Sequence, residues 1–301
     1  IPLIFMNPWI EEARPKTLPL AVSSILAGNF IAFASGVFSW IVCALSLLTA
    51  ILLQILSNFA NDYGDYTKGT DTHERIGPRR AVTSGDISAR QMKTVIILTV
   101  FLTLISGILL LWFGHARNVI FKWILLGLGF LAIAAAIMYT VGKKPYGYRA
   151  MGDLAVLLFF GFLAVTGTII LQTGVLKWVH FLVGFSMGVF AMAVLNINNI
   201  RDYSTDKIAG KHTLPILIGL RAAKWYHIVL NGLGFITLII YTIVNYSSPW
   251  QWLFLPAIIP IIRSSKAVFT NTQPILLNSE LKRQSLSTFL IAVLFGIGLI
   301  I

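Results

Sequence analysis

Residues 38–68 read FSWIVCALSLLTAILLQILSNFANDYGDYTK. The first twenty, 38–57, carry no charge, and a helix rising 1.5 Å per residue needs about that many to cross a bilayer core of roughly 30 Å. The run passes without a break into Asn58, Asn61, Asp62 and Asp65. An apolar helix that ends in a knot of carboxylates and amides predicts a membrane span with chemistry at one end.

Eight further apolar runs have comparable character: 17–36, 92–114, 121–141, 153–174, 177–198, 225–246, 250–269 and 286–301. Pro19 falls near the start of the first, where a helix tolerates proline. Residues 1–16 are too polar for a signal peptide, so that span is expected to remain as a helix. The expectation is an all-α polytopic membrane protein of nine transmembrane helices in a single domain, 1–301, with cap loops at about 58–91, 142–152 and 199–224. Composition agrees. Of 301 residues 57% are hydrophobic and 11% charged, too few to cover a soluble globule, which carries roughly a quarter. The net charge of +12 does not predict nucleic-acid binding, because the basic residues fall in short clusters between apolar runs. Cys43 is the one cysteine, which excludes an intrachain disulfide and a CxxC metal site.

Charge sorts by loop. All basic residues except Arg117, Lys122 and Lys177, 20 of 23, lie on the side of the N-terminus and of the loops after even-numbered spans. Positive residues mark the cytoplasmic side, so that side is expected to face the cytoplasm. All 11 acidic residues fall there too, although orientation does not require it. The chemistry is therefore expected on the cytoplasmic face.

Two segments on that face repeat. Asn58-x-x-x-Asp62-Tyr63 ends the second span, and Asn198-x-x-x-Asp202-Tyr203 ends the sixth. At about 100° per residue Asn58, Asp62 and Asp65 share one helix face, and Asn198, Asp202 and Asp206 form a similar set. Clustered oxygens select hard cations, and Mg²⁺ takes one or two carboxylates plus substrate phosphate oxygens. Two such half-sites facing each other would hold a diphosphate. Taken singly, either motif reads more readily as a helix C-cap or a loop turn than as a metal site; it is the pair at equivalent positions that points to metal. Basic residues suited to phosphate follow in the loops, including Arg80, Lys143, Lys144, Arg201 and Lys211, although positive loops are expected on this side anyway.

The chain resembles the UbiA-type intramembrane aromatic prenyltransferases. The resemblance rests on Trp9-x4-Arg14-Pro15-x-Thr17-Leu18-Pro19, Asn61-Asp62-Tyr63-x-Asp65-x-x-Lys68-Gly69-x-Asp71, Gly77-Pro78-x-Arg80, Tyr139-Thr140-x-Gly142 and Asn198-Asn199-x-Arg201-Asp202-x3-Asp206-x3-Gly210-Lys211. In the family's first motif, NDxxDxxxD, the last aspartate is here Gly69, with Asp71 two residues later; this form looks like the branch acting on 1,4-dihydroxy-2-naphthoate in menaquinone biosynthesis.

The resemblance implies a central cavity open to lipid within the bacterial cytoplasmic (inner) membrane. Asp62, Asp65, Asp202 and Asp206 would bind Mg²⁺ and, through it, an all-trans polyprenyl diphosphate, assisted by Asn58, Asn61 and Asn198. Arg80, Lys143, Lys144, Arg201 and Lys211 would contact the diphosphate. Arg14 would orient the acidic acceptor, and Tyr139 would face the allylic cation. The alternatives are a 4-hydroxybenzoate acceptor and, in another class, a secondary transporter with intramembrane carboxylates. Gly161, Gly184 and Gly188 are read first as packing and second as tunnel lining. No zinc site is expected from the histidines.

Overall fold

The computed structural model describes residues 7–70, 76–77, 80–116 and 118–301. Nine helical spans are long and apolar enough to cross a membrane among these residues: α1 Pro8–Ala34, α2 Trp40–Lys68, α3 Ala89–Phe113, α4 Val119–Met138, α5 Gly152–Thr173, α6 His180–Arg201, α7 Leu220–Val244, α8 Pro249–Thr270 and α9 Pro274–Ile300. Their order matches the sequence reading. The boundaries differ at functional ends. α2 runs eleven residues past the apolar stretch because no proline interrupts it between Ser57 and Lys68, and it stops at Gly69, which takes the left-handed conformation (φ 64°) of a helix cap.

Local signals set the other ends. Ser88 and Gln91 form a capping box at the start of α3, and the Asn118 side chain caps α4. α1 is interrupted: the helix Pro8–Glu12 gives way to a 3₁₀ turn, Pro15–Thr17, before Leu18–Ala34, and Arg14 sits at the break with φ 52°.

α6 is the most enclosed span and packs against α5, α7 and α9. Phe190, Phe235, Phe254 and Phe295 interlock in the core beside it. α5 carries a π-helical stretch, Leu157–Leu163, where it meets α6. There a Cβ on Gly161 would lie 2.6 Å from the Gly184 carbonyl oxygen, so the backbones touch and the small residues serve packing. α4, by contrast, packs only on α2 and α3 among its principal contacts and turns most of its surface outward. Among spans α1 to α6, with Leu281 of α9 closing one side, a cavity of about 380 Å³ remains.

Exposed tryptophans mark the lipid boundary. Trp40, Trp112, Trp178 and Trp250 lie at the ends of α2, α3, α6 and α8 opposite to the aspartate motifs, as amphipathic rings do at a headgroup interface.

Candidate active site

The two repeated motifs end at the same mouth of the bundle. A small polar chamber of about 80 Å³ lies there, and Asp65, Asp202, Asp206, Arg80 and Lys211 are among its walls. Beneath it opens the apolar cavity. Four residues line both spaces: Arg14, Asn61, Tyr139 and Asn198. They form the junction where a charged head in the chamber and an apolar tail in the cavity would be joined.

Asp65 is the hub. Its Oδ2 accepts from Arg80 Nη2 at 3.0 Å; its Oδ1 accepts from the Tyr148 hydroxyl at 2.6 Å and from Thr70 Oγ1 at 3.3 Å, and lies 3.4 Å from Lys211 Nζ. Lys211 also reaches Asp206 Oδ1 at 3.2 Å and rests over the Tyr148 ring. Burial pushes the Asp206 carboxyl above the ordinary aspartate range, against the pull of Lys211.

Asp202 differs from the helical expectation: α6 ends at Arg201, and the separate short helix Tyr203–Ile208 follows. The register survives, because the Asp202 N–H still bonds to Asn198 and the Asp206 N–H to Asp202. Arg201 grips Asp202 with a two-pronged fork, Nε to Oδ1 at 2.8 Å and Nη2 to Oδ2 at 2.6 Å, and also donates to Asn198 and Asn278. A bidentate pair of this kind fixes the carboxylate's plane.

The remaining expected residues separate. Asn61 accepts from Thr140 Oγ1 at 3.1 Å, and Asn58 Nδ2 donates to the Ala13 carbonyl, tying α2 to the N-terminal segment. Asp62 is wholly buried and does not line the chamber; its Oδ2 accepts the Val82 N–H at 3.1 Å, which pins the loop before α3. Arg201 likewise stands behind Asp202 rather than in the chamber wall. Lys143 and Lys144 are exposed in the turn after α4 and line neither space. Asp71 lies outside the described residues. Tyr139 is held edge to face against Tyr146.

Glu12 was not singled out by its sequence, because nothing in a Glu11-Glu12 pair tells which member turns inward. It is 2% exposed; its Oε1 meets Arg80 Nη1 at 3.1 Å and Arg14 Nη2 at 3.5 Å, and its Oε2 accepts the Ala81 N–H. It thus joins the arginine of the junction to the arginine of the chamber.

No group of three or more His, Cys, Asp or Glu side chains is preassembled to hold a metal among the described residues. Mg²⁺ does not need one, since it draws on one or two carboxylates, waters and phosphate oxygens. The chamber's carboxylate and amide oxygens, with no sulfur or imidazole, fit that ion.

An all-helical membrane bundle with an oxygen-rich polar chamber set on an apolar cavity defines an intramembrane protein built to hold a ligand with a charged head and an apolar tail. Residues 21–273 match the UbiA prenyltransferase family, and the chain belongs to it. It is 43% identical over 295 residues to the 1,4-dihydroxy-2-naphthoate octaprenyltransferase of Haemophilus influenzae, covering 97% of this chain and 96% of that one. To the enzyme of the same name from Escherichia coli it is 41% identical, covering 97% and 94%. Among solved structures, a UbiA homologue from Archaeoglobus fulgidus bound to GPP and Mg²⁺ superposes with a TM-score of 0.60 at 17% identity, covering 95% of this chain and 98% of that one. That likeness shows a shared fold.

Proposed function

We propose that the chain transfers a polyprenyl group from an all-trans-polyprenyl diphosphate to 1,4-dihydroxy-2-naphthoate, releasing diphosphate and CO₂ and giving the prenylated diol demethylmenaquinol, the reduced form of demethylmenaquinone. The observation that carries this reading is the junction: Arg14, Asn61, Tyr139 and Asn198 line both a polar chamber and an apolar cavity. The names of the H. influenzae and E. coli relatives support the acceptor.

In this reading the diphosphate occupies the chamber, where Arg80 and Lys211 bind its oxygens. Asp65, Asp202 and Asp206 are the residues that would hold Mg²⁺, while Asp62 fixes the loop before α3 through the Val82 N–H. When bound, the ion neutralises charge on the departing diphosphate. Arg201 holds Asp202 in one orientation, and Tyr148 and Arg80 do the same for Asp65. The isoprenoid tail lies in the apolar cavity, which excludes water that would otherwise capture an allylic cation.

Breaking the allylic C–O bond sends its electron pair to the diphosphate, and fixed positive groups stabilise that charge more in the transition state than before it. Tyr139, at the junction, presents an electron-rich ring to the developing cation. The carboxylate of the acceptor pairs with Arg14. The ring carbon bearing that carboxylate bonds to the allylic carbon, and loss of CO₂ returns the electrons that restore aromaticity.

The protein is placed in the bacterial inner membrane, with its N-terminus and chamber toward the cytoplasm; the distribution of basic residues supports this. The test is a purified-membrane assay with Mg²⁺, labelled polyprenyl diphosphate and either 1,4-dihydroxy-2-naphthoate or 4-hydroxybenzoate. Product from the naphthoate alone is expected. Product from 4-hydroxybenzoate alone would overturn the acceptor, and product from neither would overturn the enzyme.

A further inference from the structure

α8 turns one face to the bundle and one to lipid. Ile261, Ser264, Ser265 and Val268 are buried, while Ile258, Ile259, Ile262, Arg263 and Lys266 are exposed at the three- and four-residue spacing of a single helix face. That face begins as isoleucine and becomes basic. α8 has 22 residues, about 33 Å of helix, and so has little length to spare beyond a bilayer core of roughly 30 Å. Arg263 stands about 10 Å below Thr270, where the span ends. A basic residue in a loop on this side is explained by topology, but a lipid-facing one inside a span needs a counter-charge.

The protein supplies none. Neither the Arg263 nor the Lys266 side chain makes an ion pair or a hydrogen bond among the described residues. Arg283 on α9 shows the contrast, since its guanidinium meets Glu280 Oε1 at 2.9 Å. The adjoining start of α7 extends the same surface. The half-exposed Trp225 packs edge to face on Phe269, ring centroids 5.0 Å apart, and Arg221 lies one turn before it, exposed and without a partner among the described residues. Lys224 is occupied, donating from Nζ to the Phe269 and Asn271 carbonyls and closing the end of α8. A tryptophan with one side exposed marks the headgroup level, so the basic residues of α8 lie at that level and just below it. No residue of α7 or α8 lines the chamber or the cavity.

We propose that this face, Arg221, Arg263 and Lys266 beside Trp225, binds the headgroup of an anionic phospholipid, with the acyl chains lying along Ile258, Ile259 and Ile262. The lipid phosphodiester is the anion a bilayer offers at that depth, and an arginine fork with a lysine point charge is suited to its oxygens. A zwitterionic lipid carries the same phosphate together with its own cation, so the site selects for net negative charge.

The experiment titrates the purified full-length protein in detergent with dioleoyl phosphatidylglycerol and, separately, dioleoyl phosphatidylcholine, and counts bound lipids by native mass spectrometry. The first phosphatidylglycerol should bind about tenfold or more tightly than phosphatidylcholine. In Arg263→Gln/Lys266→Gln that preference should fall about tenfold, with phosphatidylcholine binding unchanged as the sign of an intact surface. Lys93→Gln/Lys144→Gln removes two exposed charges elsewhere on the same side and should keep the wild-type preference. Lys266→Glu alone, a single change on an exposed position, should weaken phosphatidylglycerol binding and carries the test if the double variant does not fold. A wild-type protein that binds both lipids equally, a Lys266→Glu variant that keeps the preference, or a charge-matched control that loses as much as the α8 variant would overturn the site. Turnover does not enter the readout, so each of these results leaves the proposed function where it stands.

Discussion

Lys211 Nζ lies 3.4 Å from Asp65 Oδ1 and 3.2 Å from Asp206 Oδ1, and so ties the end of α2 to the segment after α6 across 146 residues of sequence. One ammonium thus keeps two carboxylates of the repeated motifs in a single chamber while like charge would push them apart.

The first prediction follows from that bridge. Lys211→Met should lower kcat/KM for the polyprenyl diphosphate about 100-fold, the scale of losing one group that stabilises transition-state charge. Lys211→Arg should retain more activity than Lys211→Met. Steady-state kinetics at saturating naphthoate and Mg²⁺ would check both.

A second prediction concerns the fork on Asp202. Arg201→Lys keeps the charge but loses the paired geometry, and should lower kcat with the protein still folded. Arg201→Met strands a buried carboxylate and should cost about 3–5 kcal/mol of stability. Thermal unfolding in detergent, read beside turnover, would separate the two effects.

The sequence exposed much of this site for a physical reason. The motif Asn-x-x-x-Asp-Tyr uses the helix period, so Asp65, Asp202 and Asp206 could be grouped from spacing. The partners of those residues could not. Glu12 meets Arg80 across 68 residues and Arg201 meets Asn278 across 77, and neither separation leaves a local pattern. Lys143 and Lys144 illustrate the converse: a basic pair in a polar loop suits a phosphate, yet both lie on the exposed surface. Hydropathy likewise placed all nine spans, but ended the second at Ser57, because hydropathy registers lipid contact and α2 continues beyond it to Lys68.

The third prediction is steric. Gly161→Ala would bring a methyl group to 2.6 Å from the Gly184 carbonyl oxygen and 2.8 Å from Gly188 Cα. Separation of α5 from α6 should cost about 1–3 kcal/mol. A lowered unfolding midpoint would show it; an unchanged midpoint would mean that the π-helical stretch relaxes without loss.

Orientation gives a fourth. In a Cys43→Ala background, Lys144→Cys should react with a membrane-impermeant thiol reagent only from the cytoplasmic face, and Trp112→Cys only from the opposite face. Labelling of intact cells against inverted vesicles distinguishes them, and the reverse pattern would invert the topology.

The most direct measurement is mass analysis of the product made by the purified protein from a defined polyprenyl diphosphate and carboxyl-labelled 1,4-dihydroxy-2-naphthoate, with and without Mg²⁺. The predicted result is a prenylated naphthalene diol that has lost the label, with one CO₂ and one diphosphate released per product, and no turnover when Mg²⁺ is chelated. A product that retains the carboxylate, or no prenylated product in the presence of Mg²⁺, would contradict the account.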